Sequence, residues 1–164
     1  MIVLEEYKAI YFAIPKCANT SLKATFYEML HGKEPKNPHD WNIFKTINSK
    51  ELVTTYKDYF KFTFVRDESK RLLSCYKSNL KSLSEGYPSY FDKDMTYEEF
   101  LDMVKSIPPL KRDIHIQPCS HFYPEKIDFI GDVDYLEEDY LRLCKKIGIK
   151  NPSKLKHLNK SEDF

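Results

Sequence analysis

The chain has 164 residues, of which 41% are hydrophobic and 15% aromatic, and a formal net charge of +1. That size and apolar content exclude intrinsic disorder and suit one domain, residues 1–164, with a sizeable core. The near-zero charge gives no bulk electrostatic reason for a nucleic-acid partner, and no apolar run reaches the length of a membrane span.

The opening Met1-Ile2-Val3-Leu4 runs at once into Glu5 and Glu6, which does not fit a signal peptide, so the chain reads as cytoplasmic. Ala9 to Ile14 is an apolar run with the character of a buried strand, and Thr20 to Leu30 has helical character. Between them stands Pro15-Lys16-Cys17-Ala18-Asn19-Thr20-Ser21. A strand, a short loop and a helix start make a phosphate cradle: backbone N–H groups point at an anion and the helix dipole favours it. Lys16 adds a cation, and Thr20 and Ser21 add hydroxyl donors. The loop is not a Walker A motif, because no glycine occurs between Met1 and Leu30. A plain strand-to-helix connection is the alternative.

Gly32, Pro35 and Pro38 break the helical pattern, and a polar loop follows with His39, Asp40 and Trp41. Ser49 to Tyr59 is expected to be helical with Ser49 as N-cap. Lys61 to Val65 reads as a second strand, followed by Arg66-Asp67 and a helix over Ser69 to Leu83. Arg66 therefore sits at a strand's carboxyl end, where open α/β sheets bind ligands, and a planar guanidinium there suits bidentate phosphate binding. Pairing with Asp67, or capping a helix, is its other reading.

Ser84 to Asp94 is a loop rich in aromatic residues, and Thr96 to Lys105 is a helix with Thr96 and Glu99 at capping-box spacing, ended by Pro108-Pro109. Asp113 to Tyr123 is irregular, Ile127 to Gly131 reads as a third strand and Leu136 to Ile147 as a last helix. Strands alternating with helices predict an α/β fold of three layers. Of the four cysteines, Cys75 and Cys144 lie in helical patterns and read as buried thiols. His115, Cys119 and His121 lack a fourth ligand and match no common zinc spacing, so no metal is expected. Glu137-Glu138-Asp139 in a helix's first turn is explained by the dipole.

Four segments together resemble the sulfotransferase family, in particular its carbohydrate sulfotransferase branch. Pro15-Lys16 with Thr20-Ser21 resembles that family's 5′-phosphosulfate loop. Phe64-Val65-Arg66-Asp67 with Arg71-Leu72-Leu73-Ser74-Cys75-Tyr76 resembles its 3′-phosphate motif. Asp128-Phe129-Ile130-Gly131 with Leu136-Glu137-Glu138-Asp139, and His157-Leu158-Asn159-Lys160-Ser161, are similar to its later segments. Glu68 departs from the pattern, which usually has Pro there. The family also commonly continues into a further helical segment, so the chain is expected to be minimal or C-terminally truncated.

The resemblance implies a P-loop-like three-layer fold with a central, mainly parallel sheet flanked by helices. It implies a sulfuryl group moving from 3′-phosphoadenosine 5′-phosphosulfate to a hydroxyl, less readily an amine, of an acceptor that is expected to be a carbohydrate, with no metal. By the same resemblance, Lys16 stabilises the leaving oxygen. Lys16, Cys17, Ala18, Asn19, Thr20, Ser21 and Leu22 hold the 5′-phosphate, and Arg66 and Ser74 hold the 3′-phosphate. A histidine suits the general base, with His39 first and His115 next. A non-catalytic nucleotide-binding module and a small P-loop kinase are the alternatives. No nucleic-acid or membrane partner is expected, and the Golgi lumen replaces the cytoplasm if an anchor belongs to the same protein.

Overall fold

A computed structural model describes residues 1–38, 40–81 and 90–158, with Trp41 and Lys81 described by their backbones alone. Four strands form one sheet: β1 (Ile2–Leu4), β2 (Ala9–Phe12), β3 (Phe60–Val65) and β4 (Phe129–Asp132), in the order β1-β2-β3-β4. The β2–β3 and β3–β4 pairs are parallel. The first strand, β1, pairs antiparallel with β2 in the register Ile2↔Tyr11 and Leu4↔Ala9. This edge strand is too short and too close to the N-terminus to show a period in the sequence.

Five helices are described: α1 (Asn19–His31), α2 (Ser49–Thr54), α3 (Glu68–Lys81), α4 (Tyr97–Ser106) and α5 (Leu136–Lys146). The period-two alternation of a strand sends neighbouring side chains to opposite faces. Ala9, Tyr11, Phe62, Phe64 and Phe129 meet Leu22 and Phe26 of α1 and Tyr140 and Leu143 of α5 on one face. Val3, Ile10 and Phe12 meet Leu52 and Tyr56, within and just after α2, on the other. The result is the mixed α/β fold with helices on both faces of a mainly parallel sheet. Each fully buried Leu or Phe of these faces contributes on the order of 1.5–3 kcal/mol.

A third cluster joins α3 to α4 through Leu72, Cys75, Phe91, Phe100, Val104 and Ile116. It carries the irregular segment 113–117 to the edge of the sheet.

Several boundaries differ from the sequence reading for local reasons. The second helix ends at Thr54 rather than Tyr59, and its N-cap is Asn48, not Ser49. Asn48 Oδ1 accepts from Glu51 N–H at 3.0 Å while Glu51 Oε2 accepts from Asn48 N–H at 2.9 Å. The capping box at Thr96 and Glu99 forms as expected. Gly131 is required by close approach: a Cβ there would sit 2.4 Å from the Phe64 ring of the paired strand. His39, residues 82–89 and residues 159–164 lie outside the described residues.

Residues 156–158, beyond α5, return to α1. Lys156 N–H donates to Thr25 Oγ1 at 3.0 Å, Leu158 N–H donates to Ser21 Oγ at 3.0 Å, and Ser21 Oγ–H donates back to Leu158 O at 3.1 Å.

Candidate functional site

The two strands that feed the expected phosphate segments are parallel neighbours, with Phe12 paired to Thr63. The Thr63 hydroxyl donates to Phe12 O at 2.7 Å. Their carboxyl ends therefore open side by side at one edge of the sheet.

The loop after β2 turns sharply without glycine. Lys16 (φ 67°) and Ala18 (φ 54°) both adopt the left-handed conformation, which costs roughly 1–2 kcal/mol for each residue with a Cβ. Cys17 N–H donates to Ile14 O at 3.2 Å and Leu22 N–H to Ala18 O at 3.0 Å. The N-cap, Ala18, supplies no side-chain cap, and the first turn of α1 holds no acidic residue. The amides of Asn19, Thr20 and Ser21 have no acceptor within the helix, so this end of the dipole is positive and open. Burial pulls the Lys16 ammonium below the ordinary lysine range, with the nearby Cys75 opposing the shift. The Asn19 side-chain oxygen is buried without a hydrogen-bond partner.

At the neighbouring strand end, Asp67 does not take Arg66. Its carboxylate accepts from the N–H groups of Ser69 and Lys70, each at 3.1 Å, and from the Ser69 hydroxyl. It thereby caps α3. The Nε of Arg66 is buried and has no hydrogen-bond partner. A buried guanidinium N–H without an acceptor is costly, and an anion at this spot would satisfy it. Ser74 follows on α3 and is half-buried.

Arg71 links the two strand ends to a third segment. Its side chain is fully buried. One arm donates to Pro15 O at 3.3 Å and to His115 O at 3.2 Å, and the other donates to Gln117 O. Glu68 meets it with both oxygens, Oε1 at 3.2 Å from Nη2 and Oε2 at 3.3 Å from Nε. Glu68 is thus the counter-ion of the guanidinium. A buried charge needs such pairing and hydrogen bonding to be tolerated.

This staple brings His115 beside the loop of Lys16. His115 is partly exposed, and its Nδ1 lies 2.8 Å from Asp113 Oδ1, which also accepts the His115 backbone N–H at 2.9 Å. Burial alone would raise the Asp113 carboxyl, but the two hydrogen bonds from His115 prevail and hold it below the usual range. Tyr90 Oη stands 3.5 Å from the same oxygen. A carboxylate that fixes one ring nitrogen leaves the other free as a proton acceptor.

The structure distributes the sequence-derived candidates unevenly. Lys16, Cys17, Ala18, Asn19, Thr20, Ser21 and Leu22 form the loop and first turn of α1, and Arg66 stands at the adjacent strand end. Ser21 is buried, and its hydroxyl is engaged by the backbone of Leu158, which leaves its amide at the helix start. His39 lies outside the described residues, so only His115 can be placed. His115, Cys119 and His121 do not form a ligand set: among the described residues no three His, Cys, Asp or Glu side chains gather around a point suited to a metal. Asp113 and the stapling role of Arg71 were missed. The Asp-x-His spacing was the available signal for the first, and burial of Arg71 had none.

Comparison with known proteins found curated relatives of one class. Carbohydrate sulfotransferase 14 of Mus musculus is 27% identical over 85% of this chain and 44% of its own length. Its Homo sapiens counterpart is 26% identical over the same shares. Carbohydrate sulfotransferase 9 of Homo sapiens is 26% identical over 96% of this chain and 42% of its own length. The chain thus spans less than half the length of these curated relatives. No solved structure matches it, and among the described residues no helix is long and apolar enough to cross a membrane. The profile of the sulfotransferase family spans residues 1–164, taking in both strand ends, the Arg71 staple and the docked residues 156–158, and the chain belongs to that family.

Proposed function

We propose that the protein transfers a sulfuryl group from 3′-phosphoadenosine 5′-phosphosulfate to a carbohydrate hydroxyl, through a P-loop-like site at the carboxyl ends of β2 and β3. The observation that supports this most is the pairing of two anion-suited ends on adjacent parallel strands: an uncapped, acid-free helix start on one and a buried, partnerless guanidinium Nε on the other. The nucleotide carries two phosphate-type groups, and the site offers two places for them. The names of the relatives support a carbohydrate acceptor.

In this reading the amides of Ala18, Asn19, Thr20 and Ser21 and the Thr20 hydroxyl hold the 5′-phosphate. Cys17 and Leu22, whose amides already donate within the loop, shape it. Arg66 and Ser74 hold the 3′-phosphate. Lys16 meets the negative charge that develops on the phosphate oxygen as its bond to sulfur breaks. His115 accepts the proton of the acceptor hydroxyl as the new oxygen–sulfur bond forms, with Asp113 holding the ring orientation. His39 remains the other base of this proposal. No residue role here calls for a metal.

The test has two arms. The product nucleotide, 3′-phosphoadenosine 5′-phosphate, at about a hundred times its dissociation constant should stabilise the protein by roughly 2.7 kcal/mol, read as a thermal shift. Labelled sulfate should pass from donor to desulfated polysaccharide, and His115→Ala should lower that rate about 10²–10⁴-fold while leaving nucleotide affinity in place. A folded protein with no thermal shift refutes the nucleotide site. Binding without transfer to any glycan refutes the catalytic reading.

A further inference from the structure

Two thiols meet behind the loop. Cys17 Sγ and Cys119 Sγ are 3.9 Å apart, although 102 positions separate them in the chain. Both are free cysteines. Cys17 is fully buried between the two left-handed residues Lys16 and Ala18. Cys119 opens the short helical turn Cys119–His121 and is half-buried. It therefore faces solvent on one side and Cys17 on the other. Cys75 and Cys144 are buried in separate clusters.

We propose that Cys17 and Cys119 form a reversible disulfide that changes the shape of the loop carrying Lys16. The oxidant is a low-molecular-weight disulfide such as oxidised glutathione. Cys119, the accessible member, attacks one glutathione sulfur as the thiolate and forms a mixed disulfide, releasing one glutathione thiolate. Cys17 then attacks Cys119 Sγ. The Cys17–Cys119 bond forms, the mixed disulfide breaks, and the second glutathione leaves carrying the proton that Cys17 loses. Two protein thiols are oxidised and one glutathione disulfide is reduced to two thiols.

The surroundings favour this division of labour. The hydrogen bond from Cys17, with help from the Arg71 guanidinium and the Arg66 backbone, brings the Cys119 thiol down to about 7, while the Cys17 thiol is pushed far up by its contact with Cys119 and by burial. The thiolate is the attacking species. Bond formation must close the gap from 3.9 Å to roughly 2 Å. That pulls Cys17, and with it the loop, toward Cys119. A displacement of about 1 Å in a positioning element can cost on the order of a hundredfold in rate. The effect on nucleotide binding rests on the proposed function; the disulfide and the loop change do not.

The test uses the whole chain equilibrated in glutathione buffers from reducing to oxidising, quenched in acid, alkylated and mapped by mass spectrometry. The expected result is a linked pair of peptides carrying Cys17 and Cys119 in the oxidised buffers, absent after dithiothreitol, with Cys75 and Cys144 alkylated throughout. Amide hydrogen exchange over residues 13–22 should differ between the two states, and oxidised protein should bind 3′-phosphoadenosine 5′-phosphate at least tenfold more weakly. Cys119→Ala should keep the affinity of the reduced protein and lose its response to oxidised glutathione. Alkylation of both thiols in every buffer, or linkage of either to Cys75 or Cys144, overturns the proposal, as does a disulfide that leaves exchange over 13–22 unchanged. If the link and the exchange change appear but the reduced protein binds no nucleotide, the disulfide proposal stands and the sulfotransferase reading fails.

Discussion

The junctions β2–α1 and β4–α5 both pass from a parallel strand into a helix on the same face of the sheet, yet they are built oppositely. Before α5, the chain satisfies itself. Asp132 Oδ1 accepts from Asp134 N–H at 2.9 Å, and Asp139 accepts from Asp132 N–H at 2.8 Å and from Arg142 Nη1 at 2.6 Å. Glu137, Glu138 and Asp139 fill the first turn. Neither helix has a side-chain cap, but in α1 no carboxylate stands in the first turn, and a half-buried lysine takes the acid's place. A closed junction uses its own carboxylates to meet the dipole, and an open one keeps the amides for a ligand. On the proposed function, this difference marks the start of α5 as structural and that of α1 as ligand-binding.

Substitutions at the open junction should act on function. The largest effect is expected from Lys16→Ala, a loss of roughly 10²–10³ in kcat with a much smaller loss of nucleotide affinity. Because burial depresses Lys16, its charge is lost at a lower pH than that of an ordinary lysine. The kcat/KM should therefore fall as pH rises through that lowered value, and Lys16→Arg, which stays charged, should move the fall upward. Equal losses in affinity and turnover would reduce Lys16 to a phosphate anchor.

Arg66→Ala should weaken 3′-phosphorylated nucleotides by about ten- to a hundredfold, as expected for one charge-assisted hydrogen bond of roughly 1.5–3 kcal/mol. Adenosine 5′-phosphosulfate, without the 3′-phosphate, should bind both forms alike, which calorimetry can check. Loss of both nucleotides together with a lower Tm would make Arg66 structural.

Asp139→Ala tests the closed junction. Unsatisfying the Asp132 amide should lower stability by about 1–3 kcal/mol, read by denaturant titration, with nucleotide affinity of the folded protein unchanged. The smallest effect is the most diagnostic. Thr20→Asp places a carboxylate where α5 has one. It should stabilise α1 by roughly 0.3–1 kcal/mol and weaken nucleotide binding beyond the loss seen for Thr20→Ala. Tighter or unchanged binding would show that the open end does not face an anion.

The parts of this contrast differ in how far the sequence revealed them. Strand β2 was legible as an unbroken apolar run, β3 by Phe62, Phe64 and Val65 around Thr63, and α4 because Thr96 and Glu99 state its start. Strand-helix alternation announced a parallel sheet, but not that β2 and β3 are neighbours in it. What could not be read depends on contacts between distant positions. The hydroxyl of Ser21 is a donor in any sequence, and only the return of Leu158 engages it. Arg71 looked like one more cation of a phosphate segment until its burial against Pro15, His115 and Gln117 made it a staple. The Asp113–His115 contact is local and lay within reach of its spacing. The Cys17–Cys119 contact spans the fold and did not.

The docking of Lys156 and Leu158 on Thr25 and Ser21 has a consequence for biosynthesis. Helix α1 emerges long before residues 156–158, yet the Ser21 hydroxyl meets its backbone partner only when Leu158 arrives, and Thr25, whose hydroxyl donates to Ser21 O within the helix, gains the Lys156 amide only then. Contacts of such long sequence separation are late and slow to form. The nascent chain therefore carries an incompletely supported start of α1 from the emergence of that helix until residues 156–158 arrive.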